Sequence, residues 1–324
     1  MKKLICSLVF LFSLMTNLTG QQIANWSSYY ENGFMWNPAL TAKWMYWELN
    51  ATHRTEWSGF EDAPEYGSVS YQFPFSKRQT KVAVGTFAEY DKVGALQNTT
   101  FGGTYTYKIR PQLFGKNKDV LNFGLLAKIQ QLRINPIKLV HHELLEGEFT
   151  DTQAGTKFAF NAGVGLFYIS VYDFGEYNRD SHFYFGASAL NLIPNDITAL
   201  EGVKITQKPH FTFNAGYRHY PFRATSFLET NLLAIYALQR PVNVMLNTRY
   251  EKINKYWFSA GAVTSGDIFL QVGLIFDGDS MLKKIVRDGS LRLGFKSDYS
   301  AGSISSVAGL GYEVYIAYRF EFEN

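Results

Sequence analysis

Gly311-Tyr-Glu-Val-Tyr-Ile-Ala-Tyr-Arg-Phe-Glu-Phe322, close to the end of the 324-residue chain, alternates between two kinds of side chain. Tyr312, Val314, Ile316, Tyr318, Phe320 and Phe322 hold one parity, while Gly311, Glu313, Ala317, Arg319 and Glu321 hold the other. Successive side chains of a strand point to opposite faces, so this strand has one apolar, aromatic face and one charged or small face. Working back toward Thr41, the same alternation recurs in segments of about ten residues. Val242, Val244, Leu246, Thr248 and Tyr250 oppose Asn243, Met245, Asn247 and Arg249. Ile268, Leu270, Val272, Leu274 and Phe276 oppose Gln271, Gly273 and Asp277.

Read this way, strands are expected near 43–53, 66–75, 79–90, 95–110, 119–133, 156–173, 180–190, 208–220, 224–238, 241–250, 255–264, 267–277, 289–299 and 306–322. Their number, about 14, is even, as bacterial outer-membrane barrels prefer. A soluble sandwich would show the same alternation. Against it stand the length of many segments, beyond the usual strand of roughly 5–6 residues, the glycines Gly163, Gly165, Gly216 and Gly273 on the polar face, and aromatic residues at strand ends. Those features match a bilayer with two interfacial girdles. The expected fold is all-β: a transmembrane antiparallel β-barrel of about 14 strands in the outer membrane.

Lys2 and Lys3, the apolar run Leu4 to Leu18, and Thr19-Gly20 have the zones of a secretory signal peptide. The organisation expected is a signal peptide at 1–20, an N-terminal periplasmic or plug segment at 21–42, and the barrel at 43–324. Cys6, the one cysteine, would leave with the signal, so disulfide and thiol chemistry are excluded from the mature chain. A net charge of +3 with no basic block argues against nucleic acid as a partner.

If the N-terminus starts in the periplasm, the long connections near 54–65, 134–155 and 191–207 become extracellular loops. Pro74–Gln79, Pro221–Arg223 and Lys252–Lys255 become periplasmic turns, and the longer inner connection Gly278–Asp288 is either a short amphipathic helix or a charged turn. The last two of these long loops carry apolar residues beside acidic ones: Leu139, Val140, Leu144, Leu145 and Phe149, then Leu192, Ile193, Pro194, Ile197 and Leu200. Such surface either folds into the barrel mouth or is covered by a partner. Of these, Leu139, Val140, Leu144, Leu145, Phe149, Leu192, Ile193 and Ile197 are the candidate partner-binding residues.

Ahead of the first strand stands Trp36-Asn37-Pro38-Ala39, and just after it Arg54-Thr-Glu-Trp57-Ser-Gly59-Phe60-Glu-Asp-Ala63-Pro64. An Asn-Pro-Ala segment followed by an Arg-x-x-Trp-x-Gly-Phe-x-x-Ala-Pro loop resembles the PorP/SprF family of Bacteroidetes outer-membrane proteins. Leu40-Thr41 after Asn-Pro-Ala and Glu56 before Trp57 depart modestly from the usual motif. Each motif residue also has a structural role open to it. Asn37 can cap the backbone before Pro38, Arg54 can offer its fork to carboxylates, and Trp57 and Phe60 can pack the loop into the mouth, with Gly59 permitting a close approach.

The resemblance implies a role in type IX secretion and, in gliding relatives, in export and attachment of surface adhesins whose C-terminal domain some members bind. The partners implied are such an adhesin C-terminal domain, type IX secretion components and outer-membrane lipid. The competing reading is a small-solute or fatty-acid-type channel: a fatty-acid-type channel needs a long N-terminal hatch, and only about twenty residues precede the first strand, but the lumen parity carries enough Lys, Arg and Glu to line a small aqueous pore.

No catalytic, cofactor or metal site is expected. His142-Glu143 with Glu146 and His141 lacks the second helical histidine of a zinc protease. Asp277-Gly-Asp279-Ser lacks the later ligands of a calcium loop, and the remaining histidines scatter over separate strands.

Overall fold

The computed structural model describes residues 27–320, apart from 45, 61, 76–80, 114–118, 135–155, 172–179, 201–202, 222–224, 239, 279–285, 287–288 and 302–308. Sixteen strands follow in order: β1 Trp47–Thr55, β2 Glu65–Pro74, β3 Val82–Val93, β4 Leu96–Ile109, β5 Val120–Ile134, β6 Thr156–Ile169, β7 His182–Leu190, β8 Asn195–Leu200, β9 Val203–Gln207, β10 His210–His219, β11 Ser226–Ala237, β12 Asn243–Lys252, β13 Tyr256–Val263, β14 Asp267–Phe276, β15 Gly289–Ser300 and β16 Leu310–Phe320. Fourteen of them form one closed antiparallel barrel, and β8 and β9 form a separate two-stranded sheet. Closure pairs the first strand with the last, from Trp47 opposite Phe320 to Thr55 opposite Tyr312. A closed ladder leaves no free sheet edge along a full strand, which is what a bilayer demands of β-structure.

The parity read from the sequence is the parity of the wall. On β14, Ile268, Leu270, Val272 and Leu274 are exposed while Gln271 and Ile275 are buried; on β16, Val314 and Ile316 face out and Glu313 and Ala317 face in. At the end carrying the shorter turns, Trp47, Tyr71, Phe73 and Phe75 form a run of touching rings, with Trp47 and Phe73 centroids 6.0 Å apart. Tyr318 and Phe320 join this girdle on the neighbouring strand.

Two differences from the sequence reading matter for function. Residues 43, 44 and 46 are not strand, because they belong to a segment folded inside the barrel, and the connection 191–207 contains the β8–β9 hairpin. The proposed signal peptide, the Met281–Ile285 segment and the His141–Glu146 cluster lie outside the described residues.

Inside the barrel, three short 3-10 turns, Ser27–Tyr30, Gly33–Met35 and Pro38–Leu40, fold the chain compactly before β1. Short as it is, the stretch ahead of β1 packs across the lumen from β1 to β12, because these turns condense it and a 14-stranded wall encloses a narrow space. Apolar residues break the lumen's polar parity where the turns sit. Tyr29 packs with Leu233, Ile235, Met245, Val263 and Phe269, while Phe34 and Met35 pack with Phe87, Leu126 and Leu190.

Candidate functional site

Asn37 is the hub of the internal plug. Its backbone is extended, as the residue before proline must be, and its Oδ1 accepts from the Ala39 amide at 3.0 Å, capping the third turn. Its Nδ2 donates outward to the Leu166 carbonyl at 3.0 Å and to Asn214 Oδ1 at 3.3 Å, tying the turn to β6 and β10. The Pro38 carbonyl accepts from Thr106 Oγ1 at 2.6 Å, and the Ala39 carbonyl from Asn122 Nδ2 at 2.8 Å. Ala39 is fully buried.

The wall makes room for this turn with glycine. A Cβ on Gly124 would collide with the Pro38–Ala39 peptide, and one on Gly165 or Gly186 would collide with the Asn37 amide. Sequence reasoning saw Gly165 on the polar face but missed that these glycines answer the Asn-Pro-Ala motif. The available signal was their inward parity on β5, β6 and β7.

Charge fixes the rest of the plug. Glu31 Oε1 accepts from Arg249 Nη1 at 2.6 Å, and Arg249 in turn holds Glu251, which also receives Arg292. Tyr30 donates to Glu229 at 2.9 Å and accepts from Arg218 Nη2 at 2.9 Å. Tyr184 donates to Glu229, and the Tyr29 hydroxyl to Asn231. Lys43 Nζ stands over the Tyr184 ring at 3.8 Å, with Trp44 and Phe167 also facing it. Desolvation, the largest cause, pushes the Lys43 ammonium down to about 8; Glu229 opposes it and Arg218 adds to it.

The second motif sits at the end of the barrel that carries the long connections. Arg54 faces the lumen and grips Asp298 with both terminal nitrogens, at 2.8 and 3.1 Å, while Nε donates to Glu56 at 2.9 Å and Nη1 to Glu313 at 3.3 Å. The register explains the cluster: Lys296, Glu313 and Arg54 lie directly opposite one another on β15, β16 and β1, an alternating row of charge.

Trp57 lies in the left-handed region, with φ +50°. Phe60 donates its amide to the Trp57 carbonyl and the two rings meet edge to face at 6.4 Å. The loop binds the wall through Ser58 N to Leu310 O at 3.1 Å, and a Cβ on Gly309 would crowd the Gly59 amide. Pro64 accepts from the Glu56 amide, and Ala63 beside it is half-buried. Phe60 remains 42 % exposed. Trp57 is half-buried, whereas the expectation that Phe60 packs into the mouth is corrected: its ring stays largely exposed where the Ser58 amide ties the loop to the β16 rim.

Of the candidate partner-binding residues, Leu139, Val140, Leu144, Leu145 and Phe149 fall outside the described residues. Leu192 and Ile193 are exposed, and Ile197 lies on β8 opposite Ile205. The base of the β8–β9 hairpin turns inward: Gln207 Nε2 donates to Gln130 Oε1 at 3.0 Å and Asn161 Nδ2 to Gln207 Oε1 at 3.2 Å, both from lumen-facing positions.

A family model described as type IX secretion system membrane protein PorP/SprF matches residues 18–318, nearly the whole chain. The chain belongs to the PorP/SprF family. Its place is therefore the outer membrane, in association with the type IX secretion system, and the Asn-Pro-Ala plug and Arg54 rim belong to a PorP/SprF barrel. No curated protein matches the sequence. Among solved structures, the CymD monoaromatic hydrocarbon channel aligns with a TM-score of 0.51 at 11% identity, over 94% of this chain and 95% of that one. A Pseudomonas aeruginosa FadL homologue aligns with a TM-score of 0.50 at 9% identity, over 89% and 93%. At such identities the likeness shows the outer-membrane barrel fold alone.

Proposed function

We propose that this PorP/SprF barrel is a non-catalytic receptor that binds a secreted surface protein, an adhesin C-terminal domain, and supports its export or attachment at the cell surface, with the long-connection end facing outward. The observation that carries the proposal is where the family motifs lie. Asn37, Pro38 and Ala39 fasten a plug across the lumen, and Arg54, Trp57 and Phe60 build the rim, so the motif residues furnish a stoppered platform instead of a conduit. Exposed Leu192 and Ile193 supply surface of the kind a protein partner covers.

The test is deletion of 138–150 in the full chain. The barrel should fold, the cognate surface protein should pass into the medium, and small-solute uptake should change little. Unaltered surface retention of every type IX cargo, together with clear single-channel conductance of the purified barrel, overturns the proposal in favour of a pore.

A further inference from the structure

The wall is uneven beside β6. On one side β6 pairs with β5 along its length, out to Thr156 opposite Arg133. On the other side its pairing with β7 covers Val164–Ile169 and stops, with Val164 opposite Ala189. Residues 156–163 thus have a ladder partner on one flank among the described strands. At about 3.3 Å per residue and a tilt near 40°, the fourteen residues of β6 rise roughly 35 Å and the nine of β7 roughly 23 Å. An apolar band of about 25 Å suits β7 and leaves the outer end of β6 standing clear of the membrane.

The direction of the free flank can be read from its few contacts. The Leu192 amide donates to the Ala162 carbonyl at 3.0 Å, and Asn195 Nδ2 to the Phe160 carbonyl at 2.6 Å. Residues 158, 160 and 162 therefore point their backbone groups away from β5. From Asn195 the chain continues as β8, which stays beside β6 and β5 but takes its ladder partner from β9. Phe158 and Phe160 are 64 % and 67 % exposed, and Leu192 and Ile193 stand next to them. Arg133, exposed at the top of the same face, has no carboxylate partner among the described residues.

We propose that this edge of β6, at Phe158 and Phe160, is a β-augmentation site that takes up an extended strand of the secreted partner. The inference rests on the receptor reading above and says where and how the partner binds. Ala162 spends both backbone groups, its amide on Asn161 Oδ1 and its carbonyl on Leu192, and Phe160 spends its carbonyl on Asn195, so among the described residues the Phe158 amide and carbonyl and the Phe160 amide are left for an added strand to complement. The partner strand should be apolar on the face it shares with Phe158 and Phe160, with an acidic residue within reach of Arg133.

Phe158→Pro removes one amide from the free flank and none from the β5 ladder, and proline is tolerated at such an edge. In living cells carrying the full chain, Phe158→Pro should cut surface-retained partner by about tenfold, the effect of losing about one ladder bond and its neighbour, while Phe158→Leu retains it. A benzoyl-phenylalanine at position 160 should crosslink to a single strand of the released protein, and one at Phe211 on the membrane face should not. Full retention with a heat-modifiable Phe158→Pro barrel overturns the edge site, and so do crosslinks confined to lipid. If Phe158→Pro does not fold, the crosslink pattern decides alone. Release on deleting the whole gene but not on Phe158→Pro leaves the receptor reading standing without the edge; retention after gene deletion removes both.

Discussion

Gly124 and Gly165 show how strictly the wall is shaped to the plug. A side chain at either position meets Ala39 or Asn37 with no flexible end to give way, since the atoms in the path are backbone or a capped amide. Gly124→Val should therefore leave the barrel ladder intact and dislodge the turn. With Cys6, the one cysteine of the sequence, replaced by serine, a Leu40→Cys reporter should label with a maleimide at least about tenfold faster once Gly124 is valine; equal rates would mean that the turn has another way to seat. Arg54 tests charge at the same scale. Its side chain is 6% exposed and faces Asp298 and Glu313. Arg54→Met leaves Asp298 and Glu313 with Lys296 as their remaining cation and should cost about 3 kcal/mol in urea unfolding, whereas adding Asp298→Asn should return part of the loss. Additive losses in the double variant would dissolve the cluster as a unit.

Strands carry a simpler test. Val272 faces the bilayer and Gln271 faces the lumen, where it accepts from Ser259 at 3.2 Å. Val272→Arg or Ile316→Arg should destabilise by about 2–4 kcal/mol on refolding into vesicles, while Gln271→Glu should be mild. Equal damage from both would refute the register. This alternation was legible in the sequence because each strand writes its own two faces within about ten residues. The boundaries of β5, β14 and β15 fall within one residue of those read from pattern alone. What could not be read depends on residues far apart. Arg54 and Asp298 are separated by 244 positions and Asn37 and Asn214 by 177, so no local period announces either pair. The β8–β9 hairpin was hidden for another reason: it belongs to neither wall face, and its apolar residues looked like those of any covered loop. Asn37 as a cap was legible, since Asn-Pro carries its own local geometry.

For the molecule as a whole, the closed ladder makes unfolding cooperative and strongly resisted in detergent. The purified barrel should migrate faster on a gel before boiling than after. A helical circular dichroism spectrum, or solubility without detergent, would rule out this architecture. Excising 27–44 while keeping β1 should raise single-channel conductance of the reconstituted barrel well above the parent's; no change would show that the turns do not obstruct the lumen. Heat-modifiable migration of the excised form tells obstruction apart from misfolding.

The plug lies ahead of β1 in the chain, yet it bonds to residues made much later: Tyr30 reaches Glu229 across 199 positions and Glu31 reaches Arg249 across 218. Contacts of such high sequence separation are slow to form. Glu31 and Tyr30 cannot find their mates until β11 and β12 have joined the sheet, so the amino terminus must wait in an unfinished, open assembly. Seating of the first turns is then a late event that registers whether the wall has been assembled in full. A stalled intermediate would display acidic and aromatic side chains at its N-terminus to whatever surveys nascent outer-membrane proteins, and a finished one would conceal them.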